Sequence, residues 1–450
     1  MSQLRTSEGQ GTGVRAVLEQ RDFRWLWLGQ ICSQLADKFY IVLMVYLIAQ
    51  HWVSSTPASN PALAEAAGVV GFDLPETRAQ MITLLATGVY AANTLPAVLL
   101  GTVAGAWTDR WPKRRVMVAS NGLRGLLVLL VPLALLDGPQ WLGLGWGYWA
   151  LLVLTFLESA LTQFFAPAEQ AAITTLIPQS QLLAANSVYQ TTSMATTIVG
   201  FALGEPVLRL LRHGLEQVGV DGGEFLLLPI CYGAAAMAIS RIRHHSEPRR
   251  RQEPSLWREI GQGLAVLRQR PRVARALAQL VLLYSLLAAL YVLAISLAAA
   301  VPGLGPTRFG VLLAMSGLGL AAGALSVAQL AQNIGRRQLA AAGLGLIGWS
   351  LLLLGQLLGN LVFTLLLCAL LGIGAALLAI PTQTTIQEDT PASLRGKVFG
   401  LQNNLINIAL SLPLVLAGAM VSRWGLLPVL QVLAAVALTA AVAERPWRRW

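Results

Sequence analysis

Gly105-Ala106-Trp107-Thr108-Asp109-Arg110-Trp111-Pro112-Lys113-Arg114-Arg115 closes one apolar segment with a short basic turn and opens another. The same punctuation returns from Gly323 to Gln332-Asn333-Ile334-Gly335-Arg336-Arg337, and 223 positions separate Asp109 from Gln332 in a chain of 450 residues. A hydrophobic chain that repeats its turn at half-length reads as two related membrane bundles joined in the middle. Pro167, Pro178 and Gln190 are echoed in the same way by Pro381, Pro391 and Gln402. Each set reads as a helix ending near its first proline, a polar turn, and a second proline starting the next helix.

Composition supports this. Hydrophobic residues make up 55% of the chain and charged residues 12%, against roughly 25% charged in soluble domains. Apolar runs of about 20 residues, the length that crosses a bilayer core, recur from end to end. The first run starts near Phe23, is too long for a signal peptide and lacks a small-residue cleavage site, so no cleaved leader is expected.

The net charge of +11 raises nucleic-acid binding, but the placement of the charges argues against it. Alternate segments starting from the N-terminus hold 25 Lys and Arg, at 5–24, 110–115, 241–275, 336–337, 395–397 and 445–449. The intervening segments hold 5: Arg78, Arg209, Arg212, Arg308 and Arg423. Phosphate binding predicts a basic face, whereas a basic side is the positive-inside signature and puts both termini in the cytoplasm. No nucleic-acid partner is expected. Cys32, Cys231 and Cys368 are odd in number and far apart, so they form neither a disulfide framework nor a metal site.

Twelve spans are predicted, at 24–50, 80–107, 116–136, 148–169, 187–211, 225–243, 274–300, 307–331, 338–358, 361–384, 398–421 and 425–443. The domain reading is an N-terminal six-helix bundle at 1–243, a cytoplasmic linker at 244–272 and a C-terminal six-helix bundle at 273–450. In the linker, Leu256, Ile260, Leu264 and Leu267 recur at helical spacing after Ser255, which fits an amphipathic helix on the inner leaflet or one packed against the bundle. The loop at 51–79 carries no functional signal.

The Gly105-x-x-x-Asp109-Arg110-x-x-Lys113-Arg114-Arg115 turn resembles the signature loop between helices 2 and 3 of the major facilitator superfamily. Phe164-Phe165-Ala166-Pro167 with Pro178 and Asn186, and Gln387-Glu388-Asp389-Thr390-Pro391 with Arg395-Gly396-Lys397, look like its drug- and siderophore-exporter branch, which includes enterobactin exporters and macrolide efflux proteins. Pro112 stands where the family loop usually has glycine. The resemblance implies an all-α membrane protein of twelve transmembrane helices. They would form two pseudo-symmetric six-helix bundles around a cavity that opens alternately to each side.

Three groups of residues carry candidate chemistry. Gly105, Asp109, Arg110, Arg114 and Arg115 form an inner-gate motif. Asp109 at the N-terminus of the eleventh span would gain about 0.3–1 kcal/mol from exposed amides, with Arg110 and Arg114 as its basic partners; a plain positive-inside anchor is the other reading. Gln332 replaces the acid in the second copy, which predicts unequal halves. Asp37, Lys38, Glu158 and Arg124 are charges embedded in spans. Asp37 and Glu158 lie roughly 20 Å and 17 Å from the cytoplasmic ends of their helices. An ionised carboxylate facing lipid there would cost roughly 2.5 kcal/mol or more. They therefore face a cavity or a cation, either as proton-coupling groups or as internal ion pairs, Asp37 with Lys38 or Glu158 with Arg124. Arg124 fits either an anionic substrate or a structural role, snorkelling to the headgroups. Asn93, Gln163, Gln190, Asn403, Asn404 and Asn407 are polar cavity candidates or packing residues.

No P-loop, HExxH, CxxC or nucleophile elbow occurs in the sequence, and His51, His213, His244 and His245 form no metal set. No enzyme activity and no cofactor are expected. The sequence reads as a monomeric secondary transporter of the inner (cytoplasmic) membrane that exports a drug-like compound or siderophore in exchange for protons. Its expected partners are an amphipathic small-molecule substrate, protons as coupling ion, and the lipid bilayer. An importer or facilitator of a small metabolite and a non-transporting receptor are the alternatives.

Overall fold

A computed structural model describes residues 14–53, 78–136, 138–141, 144–178, 181–217, 219, 222–243, 268–390 and 395–444. The predicted linker helix at 255–267 and most of the 51–79 loop lie outside the described residues. A short helix, α1 (Val14–Glu19), precedes the twelve helices that are long and apolar enough to cross a membrane. These are α2 (Arg21–Leu47, extended by a π turn to Trp52), α3 (Arg78–Arg110), α4 (Lys113–Leu129), α5 (Trp146–Leu176), α6 (Leu182–Glu216) and α7 (Leu227–Ser240). The second half contributes α8 (Pro271–Ala300), α9 (Phe309–Asn333), α10 (Arg336–Gln356), α11 (Leu361–Asp389), α12 (Arg395–Trp424) and α13 (Leu426–Glu444). A two-strand hairpin, β1 (Gln140–Trp141) with β2 (Leu144–Gly145), bridges α4 and α5.

These segments are helices because a bilayer core leaves no water to satisfy backbone amides and carbonyls. Their ends follow local chemistry. The Asn360 side chain accepts from the amides of Val362 at 2.9 Å and Phe363 at 3.3 Å, capping α11. Gly425, at φ +80°, turns the chain from α12 into α13 while its amide bonds the Val421 carbonyl at 2.9 Å.

The prolines correct the sequence reading. Pro167 and Pro381 lie inside α5 and α11, which continue to Leu176 and Asp389. Losing one amide donor does not end a helix whose other bonds are protected from water. Pro178 does not start α6 either; its carbonyl accepts from the Gln181 amide at 2.9 Å in a turn that precedes Leu182.

Small residues set the closest crossings, because the lipid supplies no hydrophobic force between helices and close packing must do the work. A Cβ on Gly319 would meet the Ala369 carbonyl, and one on Gly372 the Ser316 carbonyl, so α9 and α11 touch backbone to backbone. Gly343 and Gly374 do the same for α10 and α11. Between the halves, Gly310 of α9 sits on the Phe201 backbone of α6, and Gly418 of α12 sits on Thr87 of α3.

Candidate transport site

Four helices of the first half converge on one cation. Asn121 and Arg124 are one turn apart on α4; Glu158, Thr162 and Phe165 occupy one face of α5. Arg124 is fully buried, and its Nη1 lies 2.8 Å from Asp37 Oδ1 of α2 and 3.6 Å from Glu158 Oε1. Nη1 also donates to Thr162 Oγ1 at 3.2 Å, while Nη2 donates to Ser33 Oγ at 2.7 Å and Asn121 Oδ1 at 2.8 Å. The guanidinium carbon stands 4.6 Å from the Tyr232 ring centroid and 5.1 Å from that of Phe165. Low local polarity makes each of these contacts strong and makes an unmatched charge expensive.

The sequence left open which charges pair. In the structure, Arg124 lies against both carboxylates and, being fully buried, does not snorkel to headgroups. Lys38 points elsewhere, its Nζ 5.8 Å from the Phe201 ring centroid.

Tyr232 of α7 completes the cluster. Its hydroxyl oxygen lies 2.8 Å from Asp37 Oδ1 and 2.8 Å from Glu158 Oε1. A phenol has one proton to give, and an ionised carboxylate has none. Both contacts are hydrogen bonds only when one of the two carboxyls carries a proton and donates to the phenol.

The cluster forms one wall of a cavity of about 270 Å³ between the halves. Asp37, Lys38, Asn93, Glu158, Thr162 and Gln163 line it from the first half, with Tyr291 of α8 and Asn407 and Ser411 of α12 from the second. Asp37 is 30% exposed, so it is the carboxylate a bound molecule meets first. Gln190 and Asn403 are exposed and lie outside the lining of this cavity.

Contacts between the halves are laid down on the side away from the termini. Thr83 Oγ1 meets Ser296 Oγ at 2.6 Å, Tyr90 packs edge-on to Tyr291 at 4.9 Å, and buried Glu205 faces Arg308 at 3.8 Å. Glu205 and Arg308 also line a second cavity of about 640 Å³ between α6 and α9.

The basic turn ties the first bundle together at its other end. Pro112 is the N-cap of α4, which forces α3 to finish before it. Lys113 Nζ caps the end of α3 at the Thr108 carbonyl at 2.6 Å, and Trp111 stacks on Phe164 of α5 at 6.3 Å. Arg114 donates to the Ser240 carbonyl at the end of α7. Arg110 and Arg115 are exposed. The Asp109 and Gln332 side chains and residues 391–394 lie outside the described residues, so the expected latch to the eleventh span does too.

The family model described as Major Facilitator Superfamily matches residues 26–413. The chain belongs to the major facilitator superfamily. Among curated relatives, the multidrug efflux pump Tap of Mycolicibacterium fortuitum is 29% identical over 75% of this chain and 81% of its own. Macrolide efflux protein A of Streptococcus pyogenes is 23% identical over 74% of this chain and 79% of its own. The resemblance to the drug-efflux branch of the superfamily therefore holds. Solved structures of similar fold include a point variant of the nucleoside transporter NupG, with a TM-score of 0.69 at 11% identity over 94% of this chain and 100% of that one. A bacterial homologue of the iron transporter ferroportin in its inward-facing state gives 0.66 at 16% identity over 94% and 98%. These likenesses show the fold of a multi-pass membrane transporter.

Within that superfamily fold, sequence reading missed Tyr232, Ser33, Asn121 and Thr162, since uncharged polar residues are common in spans. Among the buried acids it missed are Glu169 and Glu205. Glu169 accepts from the Tyr189 hydroxyl at 2.9 Å through Oε2, and its Oε1 has no partner among the described residues. Its position three turns beyond Glu158 was the available signal. Glu205 beside Pro206 was legible only as an acid in an apolar run.

Proposed function

We propose that the protein exports an amphipathic small molecule across the bacterial cytoplasmic membrane in exchange for protons, working as a monomer by alternating access. The termini lie in the cytoplasm on this reading, which the charge asymmetry supports. The described contacts between the halves then lie on the external side. The observation that carries the reading is the Tyr232 hydroxyl held 2.8 Å from each of two carboxyls beside one arginine. With both acids ionised the set of Asp37, Glu158 and Arg124 holds one net negative charge inside the bundle; one proton cancels it.

Glu158 is the proton carrier in this scheme. Asp37 lies nearer the guanidinium and accepts from it directly, so Asp37 remains the ionised partner. Protonated Glu158 donates to the Tyr232 oxygen, and Tyr232 donates to Asp37. When Glu158 releases its proton, it competes for Arg124 and frees Asp37 to face a substrate in the cavity. Substrate and proton thus draw on the same charge, which is the requirement for exchange. Efflux names among the relatives favour outward direction.

The test uses everted membrane vesicles from cells expressing the chain. Acidifying the vesicle lumen should drive accumulation of a fluorescent amphipathic cation in wild type, and a protonophore should abolish it. Accumulation that ignores the proton gradient removes the coupling. Uptake into intact cells that falls on deletion of the gene makes the protein an importer.

A further inference from the structure

On the side of the chain termini, the feet of α8, α10, α11 and α13 enclose a pocket of about 200 Å³ that belongs to the second bundle alone. Arg272, Arg275, Arg336, Arg337, Gln279 and Glu444 line it. Two of the arginines are matched: Arg336 meets Glu388 at 2.7 Å and Arg337 meets Glu444 at 3.2 Å. Arg272 and Arg275 have no carboxylate partner among the described residues.

These two arginines and Gln279 fall at i, i+3 and i+7 on α8, so they form one stripe of donors. Gln279 is oriented for donation, because its side-chain oxygen already accepts from Thr382 Oγ1 at 3.2 Å. The stripe begins at the N-terminus of α8, and Arg336 opens α10. Helix N-termini present positive ends and repel cations placed there. Positive-inside topology calls for arginines near this interface, but it does not call for four on the wall of one recess. An anion in the recess relieves that repulsion.

We propose that this pocket binds a phosphate oxyanion held by Arg272, Arg275 and Gln279, pinning the feet of the second bundle together. Its volume suits a phosphate group and is below that of a drug-sized site. The phosphate comes either from the headgroup of an anionic lipid in the adjoining leaflet or from free phosphate in solution.

The full-length protein in detergent is tested by native mass spectrometry and thermal unfolding with cardiolipin, with phosphatidylcholine, and with millimolar inorganic phosphate. Cardiolipin should form adducts and raise the unfolding temperature, and phosphatidylcholine should do neither. An Arg272→Gln/Arg275→Gln variant should bind about tenfold more weakly, having lost two charge-assisted contacts. An Arg21→Gln/Arg24→Gln variant removes the same charge from the first turn of α2 and should keep wild-type binding. Gln279→Leu, which keeps every charge, should also weaken binding and serves if the double variant fails to fold. Protection by inorganic phosphate alone, lost in the Arg272/Arg275 variant, identifies the soluble source. Absence of binding in wild type, or equal losses in the two arginine variants, overturns the site.

Discussion

Glu158 and Asp37 share Arg124 but differ in position, and substitutions should separate their roles. Glu158→Gln keeps the shape of the protonated acid and can still donate to Tyr232. It should fold and bind substrate, exchange it down a gradient without pH dependence, and lose gradient-driven accumulation to background; accumulation at the wild-type rate would exclude Glu158 as carrier. Arg124→Ala leaves two carboxylates without their cation inside the bundle, a change that costs about 3–5 kcal/mol when one partner of a buried pair is removed. Protein level in the membrane and detergent unfolding temperature should both fall sharply. Recovery in an Arg124→Ala/Asp37→Asn/Glu158→Gln variant would show that the unmatched charge, and not lost packing, is responsible. The three charges were legible in the sequence because an ionisable residue in an apolar run needs a reason. Their meeting was not. Which faces of α2, α4, α5 and α7 turn toward one another depends on helix rotation, and spans that are apolar all round do not encode it. Tyr232 was hidden for the same reason.

At the scale of the helix, composition was a reliable guide and single residues were not. All twelve spans were visible as apolar runs, since bilayer thickness imposes the length. Prolines misled because their effect in water, ending a helix, is softened inside a bundle, as Pro167 and Pro381 show. Glycines divide the same way by what lies opposite them. Gly372→Val would push a side chain into the Ser316 backbone at the α9–α11 crossing, whereas Gly345 has nothing within 4 Å of an added Cβ. Gly372→Val should lower the unfolding temperature by an amount reflecting at least about 1–3 kcal/mol of overpacking, and Gly345→Ala should leave it unchanged or higher. Equal effects at the two positions would mean that helix propensity, and not the crossing, governs them.

For the whole molecule, the halves touch through α3 with α8 and α12, and through α6 with α9, on the side away from the termini. Those contacts mix a hydroxyl pair and an ion pair with packed aromatics, Tyr90 and Phe201 against Tyr291 and Phe201 against Phe309. Thr83 and Ser296 sit hydroxyl to hydroxyl at 2.6 Å across the seam. In the chain with Cys32, Cys231 and Cys368 replaced, Thr83→Cys with Ser296→Cys should form a disulfide under oxidation. Transport should stop and return on reduction, because alternating access requires this seam to part; full transport by the oxidised protein would mean that it does not. Glu205→Gln should act in the opposite sense. It removes the buried charge that pairs with Arg209 of its own helix and faces Arg308 across the seam, and should weaken closure on that side and shift the population toward the other conformation. Labelling of a cysteine at Thr307, in the cavity between α6 and α9, should then become faster than in the Glu205 parent. Such a shift needs no contact with substrate, since Glu205 lies outside the lining of the central cavity. That result would show the buried acid of α6 biasing which side of the transporter stands open, and labelling at the parental rate would show that it does not.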